Sequence, residues 1–293
     1  MAPLNAEVWT SRALLDWMNE RFTTSGVEPP RLVAEMLLSS VLQQQRIDMY
    51  ADIDRPATDA ERAALRPLVQ RALQGEPVQH ILGEAWFFGM PFLVDRSALI
   101  PRSATETMVE HVLQWWRTRE TTDDGCIADI GTGGGCIAIA LAANLPETAV
   151  IATDISEEAL DLARRNAERH GVVDRIEFRL GKGLDPLGDS ELFDAMCSNP
   201  PYIPDHEFQS LDASVADWEP PAALCGGPDG LEVAGPLITG GGEHLRHGGL
   251  LIVEIATSSA KAAQSLAGES PNLQNENILR DQHGDARFIT AVR

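Results

Sequence analysis

Residues 126–136 read CIADIGTGGGC, and this segment is the strongest indication of the fold class of the chain. Residues 126–130 are apolar except for Asp129, which predicts a short buried strand. A glycine-rich turn follows at 131–135, and residues 136–143 have the apolar, alanine-rich composition of a helix. A strand, a glycine turn and a helix in this order open a nucleotide-binding α/β unit, because glycines let a ligand approach the backbone at the helix N-terminus.

The spacing of the glycines indicates which ligand this turn binds. The dinucleotide pattern G-x-G-x-x-G would require glycine at position 136, which is Cys136. The chain instead fits D-x-G-x-G-x-G, which begins at Asp129. That version has no phosphate to hold, and it points to S-adenosylmethionine rather than NAD. The turn residues predicted to bind the cofactor are Gly131, Thr132, Gly133, Gly134 and Gly135.

A second predicted strand, 149–153, ends at Asp154. An acidic residue about 20 residues beyond the glycine turn is where a carboxylate binds a ribose hydroxyl. Ser156 then suits a helix N-cap, and Gly171 suits the end of that helix. Strand, turn, helix, strand and acid in this order add Asp154 to the predicted cofactor-binding residues.

A second motif, Asn199-Pro200-Pro201-Tyr202, follows the apolar run 193–198, which predicts another buried strand. The prolines make the loop stiff and extended. Such a loop suits the alkylation of a planar nitrogen that carries two hydrogens. The Asn199 side-chain oxygen and the Pro200 carbonyl would accept its two N–H groups, and Tyr202 would cover its flat face. Taken alone, the motif is equally compatible with a proline-rich turn that has no function.

With these motifs the chain resembles the HemK/PrmC family of protein-glutamine methyltransferases, from about residue 30 to the C-terminus. Further stretches that carry the resemblance are residues 75–83, 99–106, 219–224, 226–231, 249–255 and 281–287. The resemblance implies methyl transfer to the glutamine of the Gly-Gly-Gln loop of peptide-chain release factors, with S-adenosylhomocysteine as the second product. It implies that Asn199 and Pro200 hold the glutamine amide while Tyr202 packs the site. Pro201 joins them as a substrate-binding residue, and Asn199 also contacts the cofactor.

The chain departs from the family pattern in three places. Residues 101–106 read PRSATE where the family usually has Pro-Arg-Pro-Glu-Thr-Glu. Lys182 lies between two glycines where an acid near the adenine is usual, and Ala256 stands where a glycine is usual. None of these positions belongs to the predicted methyl-transfer residues, so we interpret them as divergence. A binding module that has lost turnover is the alternative that Lys182 and Ala256 would favour.

Charge limits the possible substrates. Acidic residues outnumber basic residues by 44 to 23, and the formal net charge is −21. Recognition of phosphates needs clustered Lys and Arg, so we expect no direct contact with nucleic acid. This argues against methylation of the adenine amine in nucleic acid, which would otherwise suit the motif equally well. Methylation of a glutamine in a ribosomal protein remains open. The charge either keeps the protein in solution, which we favour, or faces a basic patch on a protein partner.

Cysteine and histidine usage predicts no metal site. The four cysteines form no C-x-x-C pair, and the seven histidines have no metal-ligand spacing. No apolar run is long enough to span a membrane, and the N-terminus lacks the plan of a signal peptide. We therefore expect a cytoplasmic protein with no membrane partner, with its thiols reduced, and we expect a monomer.

Periodicity predicts the domain organisation. Residues 1–75 are predicted to form a small helical bundle, in which Thr58 and Glu61 make a capping box. By the family resemblance this bundle docks the protein substrate. Residues 76–102 suit a hairpin-like connector. Residues 103–293 alternate between helices and strands, which predicts an α/β, Rossmann-like methyltransferase domain with a mostly parallel sheet, of seven strands by the resemblance.

Overall fold

The computed structural model describes residues 9–119, 125–209 and 217–293. The chain divides into two compact units. The first contains the described residues up to Gly83 together with residues 217–218, and the second contains the others. The division into segments 1–75, 76–102 and 103–293, and the docking role of the first, stay predictions.

The first unit is helical. Its α-helices are α1 (Ser11–Thr24), α2 (Pro30–Leu42), α3 (Arg46–Met49), α4 (Asp59–Leu73) and α5 (Val78–Leu82), with a 3₁₀ turn at Tyr50–Asp52. The predicted capping box is confirmed at the start of α4, where Thr58 Oγ1 accepts from the Glu61 amide at 3.2 Å and the Glu61 carboxylate accepts from the Thr58 amide at 2.8 Å. The core of this unit is built on Leu15, Met18, Phe22, Leu37 and Leu38, each fully buried.

The second unit is an α/β fold, as predicted. Its strands are β1 (Glu84–Phe87), β2 (Met90–Leu93), β3 (Gly125–Ile130), β4 (Thr148–Asp154), β5 (Ile176–Leu180), β6 (Phe193–Ser198), β7 (Leu245–Glu254), β8 (Gln274–Arg280) and β9 (Ala286–Val292). Its helices are α6 (Ser103–Trp116), α7 (Cys136–Asn144), α8 (Glu157–Arg169), α9 (Asp205–Phe208), α10 (Ala234–Gly241) and α11 (Ala260–Glu269). Short 3₁₀ turns lie at Val173–Arg175, Pro221–Ala223, Gly242–His244 and Thr257–Ser259.

Seven of these strands form one sheet in the order β5-β4-β3-β6-β7-β9-β8. The pairs from β5 to β7 are parallel, and β9 is antiparallel to both of its neighbours. The mostly parallel seven-stranded sheet is therefore confirmed. Strands β1 and β2 form a separate hairpin whose turn residues, Phe88 and Gly89, both have positive φ (51° and 72°), as a tight two-residue turn requires.

The sheet is covered on both faces, which explains why its central strands β3, β4 and β6 are mostly apolar and buried. Successive side chains of a strand point to opposite faces. Accordingly Ala195 and Cys197 of β6 join a core with α6 and α7, whereas Met196 joins a core with α10 and α11. Asp154 ends β4, Ser198 ends β6 and Glu254 ends β7, so the carboxyl edge of the sheet carries polar groups. Within the described ranges, no helix is long and apolar enough to cross a membrane.

Candidate active site

The two sequence motifs meet at the carboxyl edge of the sheet. Chain order reverses between β3 and its neighbour β6, and a crevice at such a switch point is the usual ligand site of an open α/β sheet. A cavity of about 380 Å³ opens there. It is lined by Gly131 and Gly133 after β3, Asp154 at the end of β4, and Asn199 and Pro200 after β6.

The glycine turn is held open by its backbone. Gly131, Gly133 and Gly135 have φ of 72°, 55° and 85°, a region that L side chains rarely adopt. A Cβ on Gly135 would lie 2.9 Å from Ile139 Cδ1 and 3.1 Å from Ala163 Cβ, so this glycine permits the close packing of α7 and α8. Gly131 and Gly133 line the cavity, whereas Gly134 and Gly135 contact the helices.

Asp154 organises the turn from the end of β4. Its Oδ2 accepts from the Gly133 amide at 2.8 Å, and its Oδ1 accepts from the Ser156 amide at 2.9 Å. Each carboxylate oxygen has a second lone pair, so Asp154 can still accept from ribose hydroxyls. Ser156 caps α8 by accepting from the Ala159 amide at 3.1 Å, as predicted.

Thr132 stabilises the glycine turn through a hydrogen bond to Asp129 and does not line the cavity. Its hydroxyl donates to Asp129 Oδ2 at 2.6 Å, and the Ala138 amide donates to the same oxygen at 3.1 Å. Asp129 is 0% exposed. Burial raises the pKa of Asp129 to about 7, although these two hydrogen bonds oppose the shift. Thr132 and Asp129 thus tie the turn to the start of α7.

Asn166 is a residue of the site that the sequence analysis missed. It lies on the buried face of α8, where its Oδ1 accepts from the Leu93 amide at 2.7 Å. Its Nδ2 donates to the Leu93 carbonyl at 3.0 Å and to the Gly134 carbonyl at 2.9 Å. Asn166 therefore joins the β1–β2 hairpin to the glycine turn. Asn166 could have been found from the sequence as a carboxamide at helical spacing from Leu162 and Ala163, on an otherwise apolar helix face.

The cavity lining also includes an exposed isoleucine and a Gly-Lys-Gly segment. Ile155 is 64% exposed and lines the cavity together with Gly181, Lys182 and Gly183. The Gly181 amide donates to the Asp154 carbonyl at 2.9 Å, and a Cβ at Gly181 would lie 2.4 Å from Pro186 Cγ. An exposed isoleucine beside backbone polar groups suits a flat heteroaromatic ring. Lys182, the departure from the family pattern, is on this lining.

The Asn-Pro-Pro-Tyr motif follows β6, which has the predicted bounds. Asn199 Nδ2 donates to Thr105 Oγ1 at 3.1 Å, while Asn199 Oδ1 is buried and has no hydrogen-bond partner among the described residues. Pro200 and Pro201 line the cavity. Tyr202 is outside that lining; its hydroxyl donates to Glu254 Oε1 at 2.9 Å. Burial, and then the nearby Glu254, raise the pKa of Tyr202, which keeps it protonated.

Glu254 is a second residue that the sequence analysis did not assign to the site. It ends β7, is 0% exposed, and accepts from the Thr105 hydroxyl at 2.8 Å as well as from Tyr202. Burial raises the pKa of Glu254, and the two hydroxyl donors together with Arg287 and Arg102 oppose the shift. Among the residues that the structure covers, no group of three or more His, Cys, Asp or Glu side chains could hold a metal ion.

Comparison with known proteins agrees with this geometry. A family profile described as PrmC N-terminal domain matches residues 13–83, and one described as methyltransferase small domain matches residues 103–216. Among solved structures, the hMettl16 catalytic domain superposes with a TM-score of 0.52 and 19% identity over 70% of this chain and 75% of that chain, which shows a shared fold.

Curated relatives match over most of the chain. A release factor glutamine methyltransferase of Geobacter sulfurreducens is 43% identical over 255 residues, 87% of this chain and 87% of that protein. A protein of the same name from Rhodopirellula baltica is 36% identical over 287 residues, 98% of this chain and 97% of that protein. This chain therefore belongs to the release factor glutamine methyltransferase family.

Proposed function

We propose that this protein transfers a methyl group from S-adenosylmethionine to the side-chain amide nitrogen of the glutamine in the Gly-Gly-Gln loop of peptide-chain release factors. Family membership supports the substrate class. The observation that carries the chemistry is the unpaired, buried Oδ1 of Asn199 on a residue that lines the cavity. A buried acceptor without a donor costs about 1–3 kcal/mol, and a substrate N–H would remove that cost.

The cavity fits S-adenosylmethionine. Gly131 and Gly133 bring backbone to its wall without side chains, and Asp154 has lone pairs for the ribose hydroxyls. Ile155 offers an apolar surface to the adenine ring. When bound, this cofactor supplies an electrophilic methyl group on a sulfonium. We expect no metal to take part.

Asn199 and Pro200 hold the substrate nitrogen. In this mechanism Asn199 Oδ1 accepts one N–H of the glutamine amide, and the Pro200 carbonyl accepts the other. S-adenosylmethionine held by Gly131, Gly133 and Asp154 would supply the methyl group to this nitrogen. The N–C bond would form as the S–C bond breaks, S-adenosylhomocysteine would leave, and no covalent enzyme intermediate would be needed. Such positioning supplies roughly 7–11 kcal/mol of the barrier at best. The two fixed acceptors also stabilise the positive charge that develops on nitrogen. The N–H proton becomes acidic as the bond forms and would be released to water, so no strong base is needed.

Replacing Asn199 tests this assignment. Asn199→Ala removes one of the two acceptors, and loss of one preorganised hydrogen-bonding group costs about 10²–10³ in kcat. We expect methylation of a release factor, measured by mass spectrometry, to fall at least that far. Binding of S-adenosylhomocysteine, followed by calorimetry, should remain measurable. An Asn199→Ala protein with wild-type turnover would contradict the role of Asn199.

The substrate is tested with labelled S-adenosylmethionine and three acceptors: purified release factor, total ribosomal protein and nucleic acid. We expect label in the release factor, and none in a release factor whose Gly-Gly-Gln glutamine is replaced by alanine. Label in nucleic acid alone would overturn the proposal, and label in no acceptor would favour a binding module without turnover. We also expect the protein to act in the cytoplasm as a monomer.

A further inference from the structure

A buried series of hydrogen bonds leads from Asn199 to Glu254. Asn199 Nδ2 donates to Thr105 Oγ1, and the Thr105 hydroxyl donates to Glu254 Oε2. The Tyr202 hydroxyl occupies the other carboxylate oxygen. Thr105 is 1% exposed and Glu254 is 0% exposed, so water does not compete for these bonds.

The direction of each bond in this series follows from the chemistry of Glu254. An ionised carboxylate only accepts hydrogen bonds, so the Thr105 hydroxyl must donate its single proton to it. The Thr105 oxygen can then only accept from Asn199, which requires the NH₂ end of the Asn199 carboxamide to face Thr105. Burial raises the pKa of Glu254, whereas the two hydroxyl donors, Thr105 and Tyr202, and then Arg287 and Arg102 favour its ionised form. Both hydroxyls lie within hydrogen-bond distance of the carboxylate, at 2.8 Å and 2.9 Å, as donors to an ionised group would.

Without such a constraint, a carboxamide can turn either end toward its surroundings. Its oxygen and nitrogen are similar in size, so hydrogen bonding and not packing sets the orientation. The opposite orientation would present N–H donors to a substrate that itself brings N–H donors. The orientation of Asn199 therefore decides whether the site accepts an amide or a carboxylate.

We propose that Thr105, its hydroxyl directed by Glu254, is a positioning residue that fixes the Asn199 carboxamide with Oδ1 toward the substrate nitrogen. The inference rests on the proposed function, because it takes a glutamine N–H as the partner of Oδ1. It adds a determinant of specificity: the site selects glutamine over glutamate, whose carboxylate brings two acceptors and no donor.

Two substitutions of Thr105 form a matched pair. Thr105→Val keeps the shape of the side chain and removes the hydroxyl, whereas Thr105→Ser keeps the hydroxyl. We expect Thr105→Val to lower kcat for release factor methylation roughly tenfold, the equivalent of one hydrogen bond, with unchanged binding of S-adenosylhomocysteine. Thr105→Ser should retain most of the wild-type kcat.

The preference for glutamine over glutamate distinguishes a positioning role of Thr105 from a purely structural role, because only a positioning role would change it. A release factor with glutamate in place of the Gly-Gly-Gln glutamine is used as a competitive inhibitor of the wild-type substrate. In Thr105→Val the Asn199 carboxamide is free to turn its NH₂ toward that carboxylate, so the preference for glutamine should fall by about tenfold. Glu254→Gln should lie between Thr105→Ser and Thr105→Val, because an amide can present either a donor or an acceptor to Thr105.

The orientation of Asn199 can also be measured without any substrate. In protein labelled with ¹⁵N-asparagine, the Asn199 side-chain signal is identified by its loss in Asn199→Ala. Hydrogen exchange of its NH₂ protons should be slow in wild type and Thr105→Ser, and about tenfold faster in Thr105→Val. Tyr202→Phe is the matched control, because it takes one donor from Glu254 while leaving the Thr105–Asn199 bond in place.

Hydrogen exchange of Asn199 reports on the role of Thr105, whereas methylation of the release factor reports on the proposed substrate. If Asn199 NH₂ exchange is slow in wild type and fast in Thr105→Val, the positioning role of Thr105 is supported. If the same wild-type protein does not methylate release factors, the proposed substrate is wrong. Wild-type exchange or wild-type selectivity in Thr105→Val would overturn the positioning role. So would loss of S-adenosylhomocysteine binding in Thr105→Val, because Thr105 would then act on the cofactor site.

Discussion

Three polar groups that water does not reach lie towards the carboxyl edge of the sheet. Asp129 and Glu254 are 0% exposed, and Asn199 Oδ1 is buried without a partner among the described residues. Burying such groups is unfavourable unless each finds a hydrogen bond, so they persist where a ligand or a specific neighbour needs them. At the scale of single residues, the sequence predicted Asn199 as an acceptor, and the structure adds that its donor group is already used by Thr105.

Asp129 should make stability depend on pH. Its pKa is raised by burial to about 7, so between about pH 4 and 7 the folded protein holds a proton that the unfolded chain has released. The stabilisation from this group is complete below about pH 4 and is lost as the pH rises through 7. Asp129→Asn cannot titrate and should lack this loss.

The measurement is the urea midpoint at pH 5 and at pH 8. We expect the drop in unfolding free energy from pH 5 to pH 8 to be larger in wild type than in Asp129→Asn, on the order of 2 kcal/mol. Glu254, whose pKa is also raised, is present in both proteins, so the comparison removes its contribution. Equal drops would show that Asp129 is ionised in the folded protein at pH 5.

At the scale of elements, a strand boundary was predicted correctly where neighbouring residues alone set it. Strand β6 has the predicted bounds because an apolar run ends at Asn199-Pro200, where proline cannot continue a ladder. Strand β7 begins at Leu245, earlier than the apolar run 249–255 indicates. Gly248, with φ of 76°, and Gly249 interrupt strand β7, and the register of its pairing with β6 shifts there. Leu245 nevertheless pairs with Phe193 of β6, so the strand extends to residues before the two glycines.

Asn166 should hold helix α8, the β1–β2 hairpin and the glycine turn together. Asn166→Ala removes three hydrogen bonds that join α8 to Leu93 and Gly134. Leaving those buried backbone groups unpaired should destabilise the protein by about 1–3 kcal/mol. The glycine turn loses its anchor, so the KM for S-adenosylmethionine should rise while the KM for the release factor is unchanged.

Asn144→Ala is the matched control for this measurement, because Asn144 also lies in a helix but bonds within its own helix, to the Ala140 carbonyl at 2.8 Å. Thermal unfolding and steady-state kinetics of both variants give the comparison. A rise in the KM for S-adenosylmethionine of the same size in Asn144→Ala would argue against a specific role of Asn166.

At the scale of the whole molecule, the chain holds two compact units with separate cores. The glycine turn, Asp154 and Asn199 all lie in the second unit, together with every residue that lines the cavity. Cofactor binding should therefore depend on the second core. Docking of the release factor on the helical unit is the part of the proposed function that the family resemblance implies.

Two buried phenylalanines test this division. Phe22 belongs to the helical unit and Phe288 to the sheet, and both are 0% exposed. Replacing either with alanine should cost about 3–5 kcal/mol. We expect Phe22→Ala to keep S-adenosylhomocysteine binding and lose release factor methylation, and Phe288→Ala to lose both. Calorimetry and methylation assays on the two variants decide this, and loss of cofactor binding in Phe22→Ala would refute the division.

The local features of this protein could be predicted from its sequence alone: the glycine turn, the strands before and after it, the capped helices and the stiff Asn-Pro-Pro-Tyr loop. These follow from backbone preferences and from hydrophobic periodicity, which act over a few residues. Tertiary packing set the strand order, the antiparallel placement of β9, and the hydrogen bonds that join Asn199 through Thr105 to Glu254. Thr105 lies 94 residues from Asn199 and 149 residues from Glu254 along the chain. Hydrogen bonds over such separations form only after the sheet and its helices have packed, and no local pattern encodes them.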